Sequence, residues 1–221
     1  MPTPLVKPGF GPTLPQSLAP RWRRASPVRR VLAAAALVVL LVLLVAGWAV
    51  LREGAEHVVV REPVAFNLRY DSSQLERERP MPGDSLLLST RAGARDPQSL
   101  AVRALRMPAY HGNSSGTLPI VAARMVGAMA PRYPGFVLRA EGRANVNKQP
   151  GYQIQFQFTR DGRTWYGRRT LLLAEEVAQR EGVDVTLLTA RSASITTPDD
   201  VGSVGPTKLP YRSLRLGTEG A

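Results

Sequence analysis

The sequence predicts an α+β domain, built on a mainly antiparallel β-sheet with flanking helices and preceded by one transmembrane helix. Three observations lead to this fold class. Residues 31–51 are apolar and carry no charge, several later runs alternate apolar and polar residues, and one helical pattern lies between those runs. Because consecutive strands joined by short turns pair antiparallel, the order of the patterns favours an α+β architecture.

The uncharged run contains 21 residues, 31–51. At a rise of about 1.5 Å per residue, a helix of this length matches a hydrocarbon core of about 30 Å. Arg29 and Arg30 stand at its near end and Trp48 lies close to its far end, so these three are the predicted membrane-interface residues. A signal peptide cleaved around 47–49 is the alternative, but signal h-regions are only about 7–15 residues long.

The arginines before the span indicate its orientation. Five of them lie in residues 21–30, whereas the charges after the span are mixed, so the positive-inside rule keeps the N-terminus in the cytoplasm. The arginine cluster is expected to contact the anionic inner leaflet of the lipid bilayer. We therefore expect a single-pass cell-membrane protein of four parts: a disordered, basic, proline-rich cytoplasmic tail (1–30), the transmembrane helix (31–51), a juxtamembrane linker (52–62) and an extracytoplasmic α+β domain (63–218).

The net charge of +12 is concentrated near the N-terminus. Residues 1–52 carry +7 with no acidic residue, which leaves +5 for the remainder of the chain. Because a basic tail beside a membrane explains most of this charge, no nucleic-acid partner is predicted. The absence of cysteine excludes disulfides, thiolate metal sites and cysteine nucleophiles.

Period-two patterns predict the strands of the outer domain, and one helical pattern predicts a helix at residues 117–130. A polar segment broken by prolines predicts a loop at residues 71–83. The predicted strands are residues 64–70, 85–90, 99–105, 136–145, 152–159, 164–173, 183–189 and 211–216.

The clearest unit is a β-hairpin at residues 152–173. Asp161 and Gly162 suit the two left-handed positions of a type I′ turn, which fixes the register of the two strands. That register pairs Phe158 with Trp165 and places Arg169 on the core face. An arginine there requires either a β-bulge or a carboxylate partner.

Four segments of the outer domain carry a resemblance to a known family: the opening strand at 64–70, residues 132–136 at the end of the helix, the hairpin turn and the closing residues 213–217. Together they resemble the PsbP-like fold over residues 63–218. That family includes extrinsic subunits of the photosynthetic oxygen-evolving complex, a Ran-binding nuclear-import factor and actinobacterial envelope proteins. The resemblance implies a sheet flanked by helices, and protein binding or assembly rather than catalysis.

The polar face of the central strands is the predicted binding surface. We expect six side chains to converge there as a site for an anionic ligand or a protein partner. A solvated sheet face, or one covered by a helix, explains the same residues. The six are Arg139, Arg143, Gln155, Gln157, Tyr166 and Arg168.

No catalytic residue, metal ligand or cofactor is predicted. The two histidines, His57 and His111, lack the spacing of metal ligands, and no phosphate-binding glycine loop or dinucleotide motif is present. We expect a non-enzymatic, membrane-anchored envelope protein that presents a PsbP-like interaction or assembly domain to a protein partner in or beside the membrane. A binder of a small molecule or polyanion at the Arg/Gln-rich face is the first alternative. A hydrolase centred on His111 is the second.

Overall fold

The protein is described here by a computed structural model, which covers residues 26–52, 54–107, 114–173 and 181–218. It forms two compact units, residues 1–53 and 54–221. Most of the predicted tail, and His111 with its loop, lie outside the described residues. So do residues 174–180.

The first unit contains helix α1, Pro27–Arg52. Proline at a first helical position is favoured because its missing N–H would have no partner there, and the helix therefore begins inside the range predicted as tail. The side chains of Arg29, Arg30 and Trp48 lie outside the described part of the structure. Over the described residues, no helix combines the length and the hydropathy that a membrane crossing requires. The predicted span is therefore unconfirmed.

The second unit is an α+β domain, in agreement with the predicted fold class. Its described residues form ten strands, two α-helices and one 3-10 turn. The strands are β1 (Ala55–Val60), β2 (Phe66–Asp71), β3 (Leu75–Glu78), β4 (Asp84–Thr90), β5 (Gln98–Arg106), β6 (Val137–Val146), β7 (Gln149–Arg160), β8 (Arg163–Leu173), β9 (Glu181–Ala190) and β10 (Arg215–Leu216). The helices are α2 (Ser114–Met129) and α3 (Lys208–Ser213), and the 3-10 turn is Pro198–Asp200.

The described strands form two antiparallel sheets. The large sheet has the order β3-β4-β5-β9-β8-β7-β6, and the small sheet has the order β1-β2-β10. Two segments differ from the prediction. Strand β1 lies within the range expected as a linker, 52–62, and β3 lies within the predicted loop 71–83. Strand β1 pairs with β2 and β3 pairs with β4, and the local sequence pattern does not reveal either pairing.

The C-terminal segment predicted as a strand at 211–216 is mostly helical. Tyr211 and Leu214 are both buried, and their spacing of three also suits one face of a helical turn. The chain forms α3 across Lys208–Ser213 and leaves only β10 as a strand beside β2. The prediction of a full strand was therefore wrong.

Both faces of the large sheet carry buried apolar clusters. On one face, which we call the small-sheet face, residues such as Leu100 and Val185 pack with Phe66 and Leu68 of β2. On the other, the α2 face, Ile154 and Phe156 of β7 pack with α2. The sheet is therefore the middle layer of the domain.

Candidate functional site

The hairpin β7–β8 has the predicted register. Phe158 pairs with Trp165, and no register shift interrupts the ladder between the two strands. Asp161 and Gly162 have φ angles of 51° and 69°, which are the left-handed positions of the predicted turn. This rigid hairpin fixes which side chains reach each face of the large sheet.

Arg169, the predicted misfit, is satisfied by a carboxylate partner. Its Nε donates to Asp184 Oδ1 at 2.8 Å and to Oδ2 at 3.1 Å, and its terminal nitrogen also donates to Oδ2. The Asp184 side chain is only 4% exposed, so the pair is buried on the α2 face. Of the two explanations that the sequence allowed, the carboxylate partner is the one confirmed.

An open groove lies on the α2 face, beside the part of the sheet that α2 covers. It has a volume of about 810 Å³. Ser99, Ala101 and Thr186 are among its lining residues, and the strand pairing sets Ala101 opposite Thr186 and Ser99 opposite Leu188. Because these strand residues are small and half-buried, a ligand can approach the sheet closely. We call this surface the open groove.

Aromatic side chains form part of the wall of the open groove. Tyr133 and Trp165 both line it. The Arg160 guanidinium carbon lies 5.4 Å from the centre of the Trp165 ring, which is within the range of a cation–π contact. The Trp165 indole Nε1 is buried and has no acceptor among the described residues. Such a wall offers apolar contact area with charge at its edge.

Positive charge predominates in the open groove. Glu78 and Asp84 are its acidic lining residues, and Asp84 forms a close ion pair with Arg103. Across the described chain, no carboxylate lies within 4.0 Å of Arg79 or Arg132. Six arginines line the groove: Arg79, Arg91, Arg103, Arg132, Arg160 and Arg169.

The predicted binding surface on the opposite face is covered at its centre. Gln155 and Arg168 are buried beneath the 3-10 turn, where Gln155 Nε2 donates to Asp199 Oδ1 and an Arg168 terminal nitrogen donates to the Asp199 main-chain oxygen, both at 2.8 Å. Tyr166 belongs to the apolar cluster of the small-sheet face. The alternative of a covered face therefore describes these three residues, although a 3-10 turn rather than an α-helix provides the cover.

The remaining predicted residues lie apart from that centre. Arg139 donates twice to Gln157 Oε1, at 2.9 and 2.6 Å, at an exposed position on the edge of the sheet. Arg143 is paired with Tyr152 rather than with a glutamine, because the register of β6 shifts between Leu138 and Ala140. The shift moves Arg143 out of phase with the glutamines, so the six residues do not form one continuous surface.

The turn that covers Gln155 is held by the carboxylate of Asp200. Its Oδ2 accepts the backbone N–H groups of Thr196 and Thr197 at 2.8 and 2.9 Å. These hydrogen bonds, from Thr197 first and then Thr196, lower the pKa of the Asp200 carboxyl below its usual range. The cover is therefore a structured cap.

A second cavity lies at the border of this cap. Its volume is about 510 Å³, and the described residues around it include no carboxylate. We call it the Arg168 cavity. It is lined by Arg143, Ala144, Asn145, Val146, Asn147, Gln153, Arg168, Gly202, Ser203, Tyr211 and Arg212.

Metal-ligand geometry is lacking across the described residues, which include no group of three or more His, Asp or Glu side chains able to hold an ion. His57 lies in β1, with its Nε2 3.5 Å from Asn67 Oδ1. Because His111 lies outside the described residues, the hydrolase alternative stays a prediction. The same holds for the expectation that no cofactor is bound.

The residues of the open groove were missed in the sequence, with one exception. Arg132 with Tyr133, Trp165 and Thr186 come from three separate segments, so no local spacing connects them. The single signal was Arg169, a charge on a strand face that otherwise reads as core. Arg169 lies on the α2 face and lines the open groove.

No known family model matches this chain, and no curated protein sequence does. Among solved structures, it is similar to LpqN, involved in cell envelope biogenesis of Mycobacterium tuberculosis, with 10% identity over 74% of this chain and 91% of LpqN, at a TM-score of 0.46. It is also similar to the cyanobacterial PsbP of Synechocystis sp. PCC 6803, with 11% identity over 74% of this chain and 92% of that protein, at a TM-score of 0.43. The second of these proteins carries the name of the family that the sequence resembles. Likeness at this level implies nothing about activity.

Proposed function

We propose that this chain is a non-enzymatic, membrane-anchored envelope protein whose outer domain binds a partner protein in or beside the membrane. The open groove is the proposed docking surface, and its occupant is an acidic segment of the partner. The observation that carries the proposal is the uncovered part of the α2 face, where six arginines line one groove and two of them, Arg79 and Arg132, have no carboxylate within 4.0 Å among the described residues. Complementary charge is what such a surface selects in a partner.

The side chains in the open groove favour binding over catalysis. A general acid or base needs a titratable group that is free to exchange its proton near the working pH. The described lining includes no histidine or cysteine, and Asp84 is engaged by Arg103 while Glu78 accepts a hydrogen bond from Ser89. Because both carboxylates already have partners, neither is free to act as a general acid or base, and this favours a role in binding.

The arginines without a carboxylate partner, Arg79 and Arg132, and the aromatic wall define the chemistry of the partner. Arg160 lies against Trp165 and forms an exposed ion pair with Asp161 at 3.7 Å. Arginine, tyrosine and tryptophan are the residues that most often dominate binding energy at protein interfaces. The acidic side chains of such a segment would pair with the arginines of the open groove. Its apolar side chains would pack on Tyr133 and Trp165.

Site-specific photo-crosslinking in cells tests this docking surface. A photo-reactive phenylalanine derivative at Met81, which is 62% exposed at the border of the groove, should give one defined adduct. We expect the adduct to fall at least tenfold when Arg132→Glu and Arg160→Glu are combined, because charge-assisted contacts contribute about 1.5–3 kcal/mol each and tenfold corresponds to only about 1.4 kcal/mol. The crosslinked peptide of the partner should be rich in Asp and Glu.

Two controls accompany the crosslinking experiment. The same photo-reactive residue at Leu209, an exposed apolar position that lines neither cavity, should give no adduct of that mass. The matched charge reversal, Arg61→Glu with Arg215→Glu, should leave the Met81 adduct unchanged. An adduct that survives reversal in the groove, or that forms equally at Leu209, would exclude the open groove as the docking surface.

The proposed membrane anchor is supported by the uncharged run 31–51 and the five preceding arginines. The large apolar side chains of residues 37–44 are more than half exposed, and contiguous exposed apolar surface of this kind marks a surface that is covered by a membrane or a partner. The basic N-terminus would then lie against the anionic inner leaflet.

Reporter fusions at Ala221 test the orientation. A reporter that is active only in the cytoplasm should be inactive when fused there, and one that is active only outside the cytoplasm should be active. The physical reason is the arginine asymmetry, which opposes transfer of the N-terminus across the bilayer. Strong activity of the cytoplasmic reporter, with a silent external one, would reverse the proposed topology.

A further inference from the structure

Arg168 is a buried guanidinium without a counter-ion in the described structure. The residue is 9% exposed, and its Nε is buried without an acceptor. A terminal nitrogen donates to the main-chain oxygen of Asp199, whose carboxylate oxygen Oδ1 instead accepts from Gln155. Among the described residues, no carboxylate lies within 4.0 Å of Arg168.

A buried charge of this kind is costly unless something compensates it. Desolvation of an arginine is offset only by close opposite charge and by hydrogen bonds to its remaining N–H groups. The Tyr211 ring, whose centre is 5.7 Å from the guanidinium carbon, supplies a weak cation–π contact. That contact leaves the Nε hydrogen without an acceptor.

The surroundings of Arg168 are arranged to receive an anion. Arg212 lines the same cavity, and no carboxylate lies within 4.0 Å of it among the described residues. Gln153 and Ser203 add neutral donors to the lining. The volume of about 510 Å³ lies in the usual range for small-molecule sites.

The walls of the Arg168 cavity are held by hydrogen bonds between distant segments. Asn147, with a φ angle of 48°, donates through its Nδ2 to the main-chain oxygens of Ser213 and Leu214, at 3.5 and 3.3 Å. The Tyr211 hydroxyl lies 2.9 Å from Thr170 Oγ1. The β6–β7 turn and α3 are thus fixed on either side of the cavity before any ligand arrives.

We propose that the Arg168 cavity binds a small phosphorylated ligand, with the phosphate group between Arg168 and Arg212. Arginine matches phosphate through several N–H donors at once, and two arginines with no acidic residue in the lining favour a dianion over a singly charged carboxylate. The site is separate from the open groove, since the two cavities share no lining residue.

Calorimetric titration of the full-length protein in detergent micelles tests this site. The probes are inorganic phosphate and glycerol phosphate, with acetate at equal ionic strength as the carboxylate comparison. We expect saturable binding of at least one phosphate probe. Arg212→Gln should weaken it by tenfold or more, because it removes one of the two guanidinium groups that hold the phosphate. Arg168→Met should abolish it.

A matched variant separates the site from general electrostatics. Arg191→Gln removes an exposed arginine outside both cavities and should leave phosphate binding unchanged. Because Arg212 is exposed, its replacement tests the site even if Arg168→Met impairs folding. Saturable binding of inorganic phosphate but not of glycerol phosphate would identify the free ion as the ligand. Tighter binding of glycerol phosphate would identify a phosphate ester as the ligand. Absence of saturable binding, equal binding of acetate, or equal weakening by Arg191→Gln would overturn the proposal.

Discussion

Replacing Asp184 by alanine is expected to lower the free energy of unfolding by about 3–5 kcal/mol, because it leaves Arg169 largely buried without its carboxylate. The Asp184 side chain is 4% exposed and that of Arg169 is 19% exposed, so solvent screens the remaining charge poorly. Urea unfolding of the full-length protein in detergent micelles, followed by the loss of β-sheet circular dichroism, measures the change. A cost of this size is a large fraction of the stability of an ordinary domain.

A surface ion pair and a double replacement are the controls for Asp184→Ala. The pair of Arg91 with Glu76 spans 2.8 Å but is exposed on both sides, so Glu76→Ala should cost less than about 1 kcal/mol. Combining Asp184→Leu with Arg169→Met removes both charges and should restore much of the lost stability. A small loss for Asp184→Ala, or a double variant no better than the single one, would show that the buried pair is not an energetic unit.

Replacing Phe156 by alanine is expected to cost about 3–5 kcal/mol, the range for a large aromatic residue in a close-packed core. Its side chain is fully buried, with ring centres of Tyr133 and Phe136 at 5.4 and 5.6 Å. The ring also lies over Gly167 of the paired strand, where an added Cβ would come within 2.2 Å of Phe156 Cζ. Gly167→Ala should therefore destabilise the same cluster by overpacking.

The same urea measurement applies to the Phe156 variants, with Val137→Ala as the comparison. Val137 is apolar but 41% exposed on the edge strand β6, so its truncation should change stability by less than about 0.5 kcal/mol. Gln155→Ala is expected to cost about 1–3 kcal/mol, because it breaks the buried hydrogen bond to Asp199. Equal losses for Phe156→Ala and Val137→Ala would place the core elsewhere.

The fate of Gln155 shows where the sequence pattern stops being informative. Alternation along β7 correctly separates Ile154, Phe156 and Phe158 from the glutamines, because the two-residue turn fixes the register. Because glutamine is polar, the sequence pattern predicts that Gln155, on the second face, is exposed to solvent. In the structure it is covered by a turn 44 residues later in the chain, and nothing in the local pattern records that contact.

The short elements show the same limit. Strands β3 and β10 contain four and two residues, and each forms because a longer neighbour offers free backbone groups. Their own sequences are polar or compatible with a helix. Helix α3 occupies the segment predicted as a strand. A single helical turn is enough to bury Tyr211 and to bring its hydroxyl next to Thr170 Oγ1.

From the sequence alone follow the α+β class, the hairpin with its register, and the need of Arg169 for either a β-bulge or a carboxylate partner. Turn chemistry and period-two alternation act between residues close in the chain, and this is why they can be read there. Three features are visible only in the folded domain: Asp184 is the partner of Arg169, the 3-10 turn covers Gln155 and Arg168, and part of the α2 face stays open. Periodicity defines two faces of a strand, but it does not say which distant segment packs on each. That choice depends on the summed burial and hydrogen bonding of the whole domain.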